Sequence, residues 1–235
     1  MKIVTVQQMQ SIEKSADENG LSYQQMMHNA GLGVGNWVSE NMNLSRGVVG
    51  LIGSGNNGGD TLIALTSLAM QGARTVAFLA KVRSDDPFLK IYIDQGGQVV
   101  NISDGEHLDF FRAAIQPGTI ILDGILGTGL RLPLRGVLKD VMASLHEIVM
   151  KRPGVLVIAM DCPSGMDCDT GEVSDVTLKA DFTLCMAAVK QGLLKDPGQE
   201  YAGQLRWIGI GINDIQDHLS DSLPEMLHAD MVCNC

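Results

Sequence analysis

No run of about 18 apolar residues occurs anywhere in this chain of 235, so the sequence offers no membrane-spanning helix. Its first residues, Met1-Lys2-Ile3-Val4-Thr5-Val6-Gln7-Gln8, lack the apolar stretch of a signal peptide. Basic charge is scarce: 17 Lys and Arg against 27 Asp and Glu leave a net charge of −10, with no compensating basic run. Phosphate backbones recruit stripes of Lys and Arg, so the balance argues against nucleic acid as a partner. No C-x-x-C pair, zinc-site spacing or close pair of histidines is present. The cysteines, Cys162, Cys168, Cys185, Cys233 and Cys235, are odd in number and read as reduced thiols of a cytoplasmic protein. No G-x-x-x-x-G-K-[ST] occurs, which excludes a P-loop nucleoside triphosphatase.

What is present suits one substantial α/β domain. Hydrophobic residues make up 45% and charged ones 19%, enough for a sizeable core in a chain too short for two large domains. Thr5-x-x-Gln8 and Ser22-x-x-Gln25 have capping-box spacing ahead of two helices, near 7–18 and 23–41. Strands then fit 47–52, 75–80, 98–102, 119–125, 155–161, 180–186 and 204–210, and helices fit 60–71, 87–95, 107–115 and 136–151. Near-continuous apolar strands alternating with helices predict a mostly parallel sheet covered on both faces, with ligands at the strands' carboxyl ends. The domain spans 1–213. The acidic, weakly patterned segment 214–235 reads as a peripheral tail or the start of a linker.

The most telling stretch is Gly53–Asp60, GSGNNGGD, between the apolar run Val48–Ile52 and a helix-like run from Thr61. Its four glycines permit positive φ and close approach of backbone to a ligand. A helix N-terminus there aims unpaired N–H groups at an anion. The segment satisfies G-x-G-x-x-G literally, but a dinucleotide fold also asks for a carboxylate about 20 positions further on. The second strand ends instead in Lys81-Val82-Arg83, which speaks against a conventional redox enzyme.

Three further segments fall at strand ends. Asp123-Gly124-Ile125-Leu126-Gly127-Thr128-Gly129-Leu130-Arg131-Leu132-Pro133 offers a carboxylate, then a glycine-bracketed loop whose Arg131 is either a phosphate fork or a solvated surface group. Asp161-Cys162-Pro163-Ser164-Gly165 ends an apolar strand. Partial burial there would suit Asp161 to acid/base work, the alternative being a turn cap. Ser164 lacks both G-x-S-x-G and a neighbouring histidine, so a hydrolase is rejected, and an oxygen ligand for a hard cation fits better. Asp167 and Asp169 read as solvated turn residues. Lys190, at the end of the sixth strand's extension, either reaches phosphate or is a surface lysine.

Together GSGNNGGD, DGILGTGLRLP, MDCPSGMDCDTG, the late Thr-x6-Lys-x-Gly and the early Asn29-Ala30-Gly31 resemble the NAD(P)H-hydrate epimerase family, the YjeF N-terminal domain, over about residues 6–212. The resemblance implies a Rossmann-like three-layer α/β/α sandwich with two N-terminal helices, commonly a homodimer. It implies an isomerase interconverting the R and S epimers of hydrated NADH and NADPH, damaged forms that a partner NAD(P)H-hydrate dehydratase restores. A potassium ion is implied on Asn57, Asp123 and Ser164. Substrate contacts are implied at Asn56, Asn57, Gly58, Gly59 and Asp60, at Gly127 to Pro133 (Thr128, Gly129, Leu130, Arg131 and Leu132 between them), and at Asp161. The family pattern has glycine after Asp60 and alanine after Asp123, where this chain carries Thr61 and Gly124, differences expected to alter packing more than chemistry.

Chemistry supports the same reading. The hydrate is a hemiaminal, with a hydroxyl on the ring carbon C6 beside N1. Protonating that hydroxyl lets it leave as water while the nitrogen lone pair stabilises the cation, and water returning to the other face inverts the centre. Asp161 is the expected acid/base. Asp123 would hold the cation and place negative charge near the developing iminium. The competing readings are a non-catalytic nucleotide- or protein-binding module of the same fold and an NAD(P) oxidoreductase.

Overall fold

The computed structural model describes residues 2–212, and the segment expected to be a tail lies outside them. Elements follow in the order β1 Ile3–Val4, α1 Val6–Glu18, α2 Tyr23–Asn41, β2 Val48–Ile52, α3 Asn56–Met70, β3 Thr75–Leu79, α4 Pro87–Asp94, β4 Gln98–Asn101 and α5 Leu108–Ala114. They continue with β5 Ile120–Gly124, α6 Val137–Met150, β6 Leu156–Met160, β7 Phe182–Met186, β8 Val189–Lys190, α7 Gly198–Ala202 and β9 Gln204–Ile208. Seven strands form one sheet in the order β4-β3-β2-β5-β6-β7-β9, and every pairing in it is parallel. The central strands β2 and β5 are buried along their whole length, as expected of a sheet covered on both sides.

Helices cover both faces, making the expected three layers. Residues of α1 to α4 close one core with Val48, Ile52, Leu122 and Met160. Phe111 of α5 and Val141, Met142 and Leu145 of α6 close the other with Leu51, Ile121 and Val157. Glycine lets the helices on the first face approach closely. A Cβ on Gly31 of α2 would stand 2.5 Å from Ile63 Cβ and 2.7 Å from the Asp60 carbonyl of α3, so the Asn29-Ala30-Gly31 motif serves helix packing.

Two features correct the sequence reading. α3 starts at Asn56, capped by the backbone of Gly55, rather than at Asp60. Asn56 to Gly59 are therefore helical. None of Gly53, Gly55, Gly58 and Gly59 is among the positive-φ glycines, and what they permit is close packing of the chain on itself. A Cβ on Gly53 would lie 1.7 Å from the Ile125 carbonyl oxygen, and one on Gly58 2.2 Å from that of Gly53.

The second feature is a two-stranded parallel sheet between β1 and β8, with Ile3 beside Val189 and Val4 beside Lys190. Two residues per strand carry no periodicity, so no apolar pattern marks it. It matters because it anchors the chain entering α1 next to Lys190. The Asp169 carboxylate reinforces the anchor by accepting the Val6 N–H at 2.8 Å, and Asp167 accepts the N–H groups of Asp169 and Thr170. These two aspartates are structural, contrary to the solvated turn expected of them.

Candidate active site

Strand order reverses between β2 and β5, since β3 and β4 lie on one side of β2 and β5 on the other. Splayed loops at such a switch point open a crevice at the carboxyl ends. A cavity of about 1060 Å³ lies there, lined by Ser54 to Asn57 and Asp60, by Ile125 to Leu130, by Asp161, and by Glu13, Met26 and Met27 of the N-terminal helices.

Asp161 follows the last residue of β6 and is 8% exposed. Its φ of 65° places a non-glycine residue in the left-handed region, at a cost of about 1–3 kcal/mol that surrounding contacts must offset. Two neighbours supply them. Its Oδ1 accepts the Met186 N–H at 2.9 Å and the Lys190 Nζ at 2.5 Å. Lys190 is 1% exposed, and its Nζ also donates to the Met186 and Ala188 carbonyls at 3.0 and 3.2 Å. Burial alone would push that ammonium's pKa down, but the Asp161 carboxylate more than offsets this and holds it above its ordinary value. Lys190 is thus neither a surface lysine nor free for phosphate: its three N–H donors are taken, and its role is to fix Asp161.

Beneath the cavity floor the three oxygen-bearing residues Asn57, Asp123 and Ser164 are knitted together. Asp123 Oδ2 accepts the Ser164 N–H at 2.8 Å. Ser164 Oγ accepts the Leu126 N–H at 2.9 Å. The Asn57 amide donates to the Leu126 and Met160 carbonyls, both at 2.9 Å. Both amide protons are spent this way, so the Asn57 side-chain oxygen is left as an acceptor. Asp123 is 1% exposed, and its Oδ1 has no hydrogen-bond partner. Burial pushes this carboxyl's pKa up, and the Ser164 bonds pull it back only in part. A buried carboxylate oxygen without a donor calls for a proton or a cation.

Two residues that the motifs did not single out complete the site. Glu13, from α1, is half-buried. Burial raises its pKa, and the Asp161 charge raises it further against the pull of Lys190. The β1–β8 pairing and the packing of Met9, Ile12 and Ala16 of α1 into the core bring it here, so no local signal marks it. Arg83, in the segment after β3, donates from one guanidinium nitrogen to the Gly53 and Gly55 carbonyls at 2.6 and 2.9 Å and pairs with Asp86. Where a dinucleotide enzyme has a ribose-binding carboxylate, this chain has an arginine that braces its glycine turn.

The expected loop Gly127 to Pro133 is divided. Gly127 to Leu130 line the cavity, whereas Leu132 and Pro133 line a separate hollow of about 510 Å³ with Lys139 and Asp175. Arg131 is exposed and lines neither. Gly58 and Gly59 face inward, toward Gly53, Arg83 and Met27.

The family model described as YjeF-related protein N-terminus matches residues 23–192, which span every motif above. The chain belongs to this family. It is 35% identical over 173 residues to a protein of Clavibacter sepedonicus named NAD(P)H-hydrate epimerase, covering 71% of this chain and 73% of that protein. It is 32% identical over 196 residues to a Cenarchaeum symbiosum protein of the same name, covering 82% and 88%. A Thermofilum pendens protein named bifunctional NAD(P)H-hydrate repair enzyme Nnr is 32% identical over 212 residues, but the match spans only 39% of its length against 87% of this chain. The crystal structure titled yeast ynu0, YNL200c shares the fold, with a TM-score of 0.71 at 21% identity over 88% of this chain and 87% of that one. Among the described residues no helix is long and apolar enough to cross a membrane.

Proposed function

We propose that this chain is an NAD(P)H-hydrate epimerase, an isomerase that inverts the hydroxyl-bearing carbon of hydrated NADH and NADPH. The observation that carries the reading is Asp161, a carboxylate on the cavity wall fixed by Lys190 and the Met186 N–H. A positioned carboxyl acid/base contributes on the order of 10²–10⁴-fold to such a step. Named relatives covering most of this chain support the same activity. The substrate's anionic part would lie at the N-terminus of α3, by Asn56 and Asn57, where N–H groups are free of helical partners, beside the loop Gly127 to Leu130.

A potassium ion fits the floor of this site. The orphaned Asp123 Oδ1, the Asn57 side-chain oxygen and the Ser164 hydroxyl form an all-oxygen set with a single carboxylate, which suits a hard monovalent ion better than a divalent one. It would supply fixed positive charge balancing Asp123. The bifunctional relatives support an NAD(P)H-hydrate dehydratase as functional partner, and a homodimer is the assembly to look for. Burial raises the thiol pKa of Cys185 to about 12, and Cys162 and Cys168 are likewise free and buried, as suits a reducing cytoplasm.

The test mixes purified protein with R-enriched NADH hydrate and follows the epimer ratio by chromatography, beside a no-enzyme control. Rapid equilibration is expected from wild type, a loss of about 10²-fold or more from Asp161→Ala, and a slower wild-type rate when sodium replaces potassium. A wild-type rate equal to the control would move the reading to a binding module.

A further inference from the structure

Resting on that epimerase reading, inversion needs proton transfer at two places. The departing hydroxyl takes up a proton on one face of the ring, and the entering water gives one up on the other. Asp161 is built for only the second task. Its Oδ1 already accepts an ammonium and a backbone N–H, so it stands as an acceptor in the site. A second carboxyl in the opposite state is required.

Asp60 meets that requirement. It sits in the second turn of α3, is 6% exposed and lines the cavity with Asp161. Lys190 is committed to Asp161 and to the Met186 and Ala188 carbonyls, Arg83 is occupied by Gly53, Gly55 and Asp86, and Glu13, the other carboxyl on the wall, is less buried than Asp60. Among the described residues, no hydrogen-bond donor of the protein reaches the Asp60 carboxyl. A buried carboxylate with no donor is costly, whereas the neutral acid can donate its own proton to a ligand. Asp60 belongs to the helix after β2 and Asp161 to the end of β6, with β5 between those strands, so the two reach the cavity from separate elements. The geometry points to Asp60 as the catalytic acid on one face of the ring, with the Asp161 carboxylate as the base on the other.

The electrostatics agree. Burial lifts the Asp60 carboxyl well above the ordinary carboxylate range, and the charges of Asp161 and Glu13 lift it further against the weaker pull of Arg83 and Lys190. The remaining ionisable groups on the cavity wall are Lys14 of α1, Tyr23 of α2 and Lys81 after β3. The proton count closes. Asp60 gives its proton to the C6 hydroxyl, the C6–O bond breaks with its electron pair on the departing water, and the N1 lone pair forms the C6=N1 bond. Water then adds to C6 from the other face, the π pair returns to N1, and the water's proton passes to Asp161. One water leaves and one enters. The two carboxyls end with exchanged protonation, which solvent exchange resets or the reverse turnover uses directly.

The decisive comparison is Asp60→Asn, which keeps the shape and removes the acidic proton. In the epimer assay its kcat should fall about 10²–10⁴-fold, while the rise in melting temperature caused by the hydrate stays as in wild type. Wild-type kcat should fall as pH rises through the titration of Asp60, and the residual rate of the variant should lack that alkaline limb. The wild-type minus variant infrared spectrum at neutral pH should contain the C=O stretch of a protonated carboxyl. A variant with wild-type kcat, or a difference spectrum without that band, overturns the assignment while leaving the epimerase intact. A wild type no faster than the control removes the epimerase reading itself. Should the asparagine variant not fold, Asp60→Ser carries the same measurements.

Discussion

A Cβ built on Gly124 would stand 1.9 Å from Thr61 Oγ1 and 2.9 Å from the Asn57 carbonyl oxygen, and the Thr61 hydroxyl donates to that same carbonyl at 2.7 Å. Thr61 and Gly124, the two positions that the resemblance marked as departures, are therefore a single contact between β5 and α3. Glycine at 124 makes the room that threonine at 61 fills. Gly124→Ala alone should destabilise by about 1–3 kcal/mol through overpacking. Thr61→Gly alone should cost about 1 kcal/mol or more in helix propensity. The double variant should cost less than the sum, because glycine at 61 vacates the space the alanine needs. Urea denaturation of all four proteins measures this, and strictly additive losses would show that the two sites do not compensate. The sequence revealed both departures but not their coupling, which lies between residues 63 positions apart. Lys190 teaches the same lesson. Nothing adjacent to it predicts burial, because the carboxylate that makes burial tolerable lies 29 residues earlier.

At the scale of elements, periodicity carried far. All seven strands of the main sheet and the long helices lie where apolar runs and capping signals put them. The Thr5 capping box is closed in both directions, and Ser22 accepts the Gln25 N–H at 3.1 Å. What escaped were elements too short for a period, β1, β8 and α7, and the start of α3, hidden because Asn-Asn-Gly-Gly reads as a turn by composition. Its helical state depends on tertiary contact. Arg83 holds the Gly53 and Gly55 carbonyls, and only glycine lets Gly58 pack on Gly53. Alanine usually favours a helix over glycine by about 1 kcal/mol, yet Gly58→Ala should destabilise, because its Cβ would meet the Gly53 carbonyl oxygen at 2.2 Å and Arg83 at 2.8 Å. Gly55→Ala, with nothing within 4 Å of the added carbon, should leave urea stability close to wild type. Equal effects of the two substitutions would mean that the close approach has no energetic weight.

For the whole molecule, the motifs marked the strand ends, and the switch-point rule told where those ends converge. The sequence could not say how charge is shared among the carboxyls meeting there, because that depends on burial and on Lys190, Arg83 and Glu13 arriving from three separate elements. That distribution has a cost readable in stability. Burial, then Asp161 and Glu13, raise the pKa of Asp60 above its ordinary value of 3.8, so the folded state binds this proton more tightly than the unfolded chain does. Its contribution to stability is fully present below the unfolded pKa and is lost as pH rises through the folded one. Asp60→Asn cannot ionise and escapes that loss. Near pH 4 and below, the two proteins should melt at similar temperatures. As pH rises above that, the variant should become progressively the more stable until Asp60 ionises in the folded protein as well, since wild type alone must then bury a second charge beside Asp161. Glu13 and Asp123, whose pKa values are also raised, are common to both proteins and largely cancel in the difference. Melting temperatures of the pair across that pH range decide the matter. A difference that stays flat or shrinks with pH would mean that Asp60 ionises as freely in the folded protein as in the unfolded chain, and the strain assigned to the site would have to be sought elsewhere.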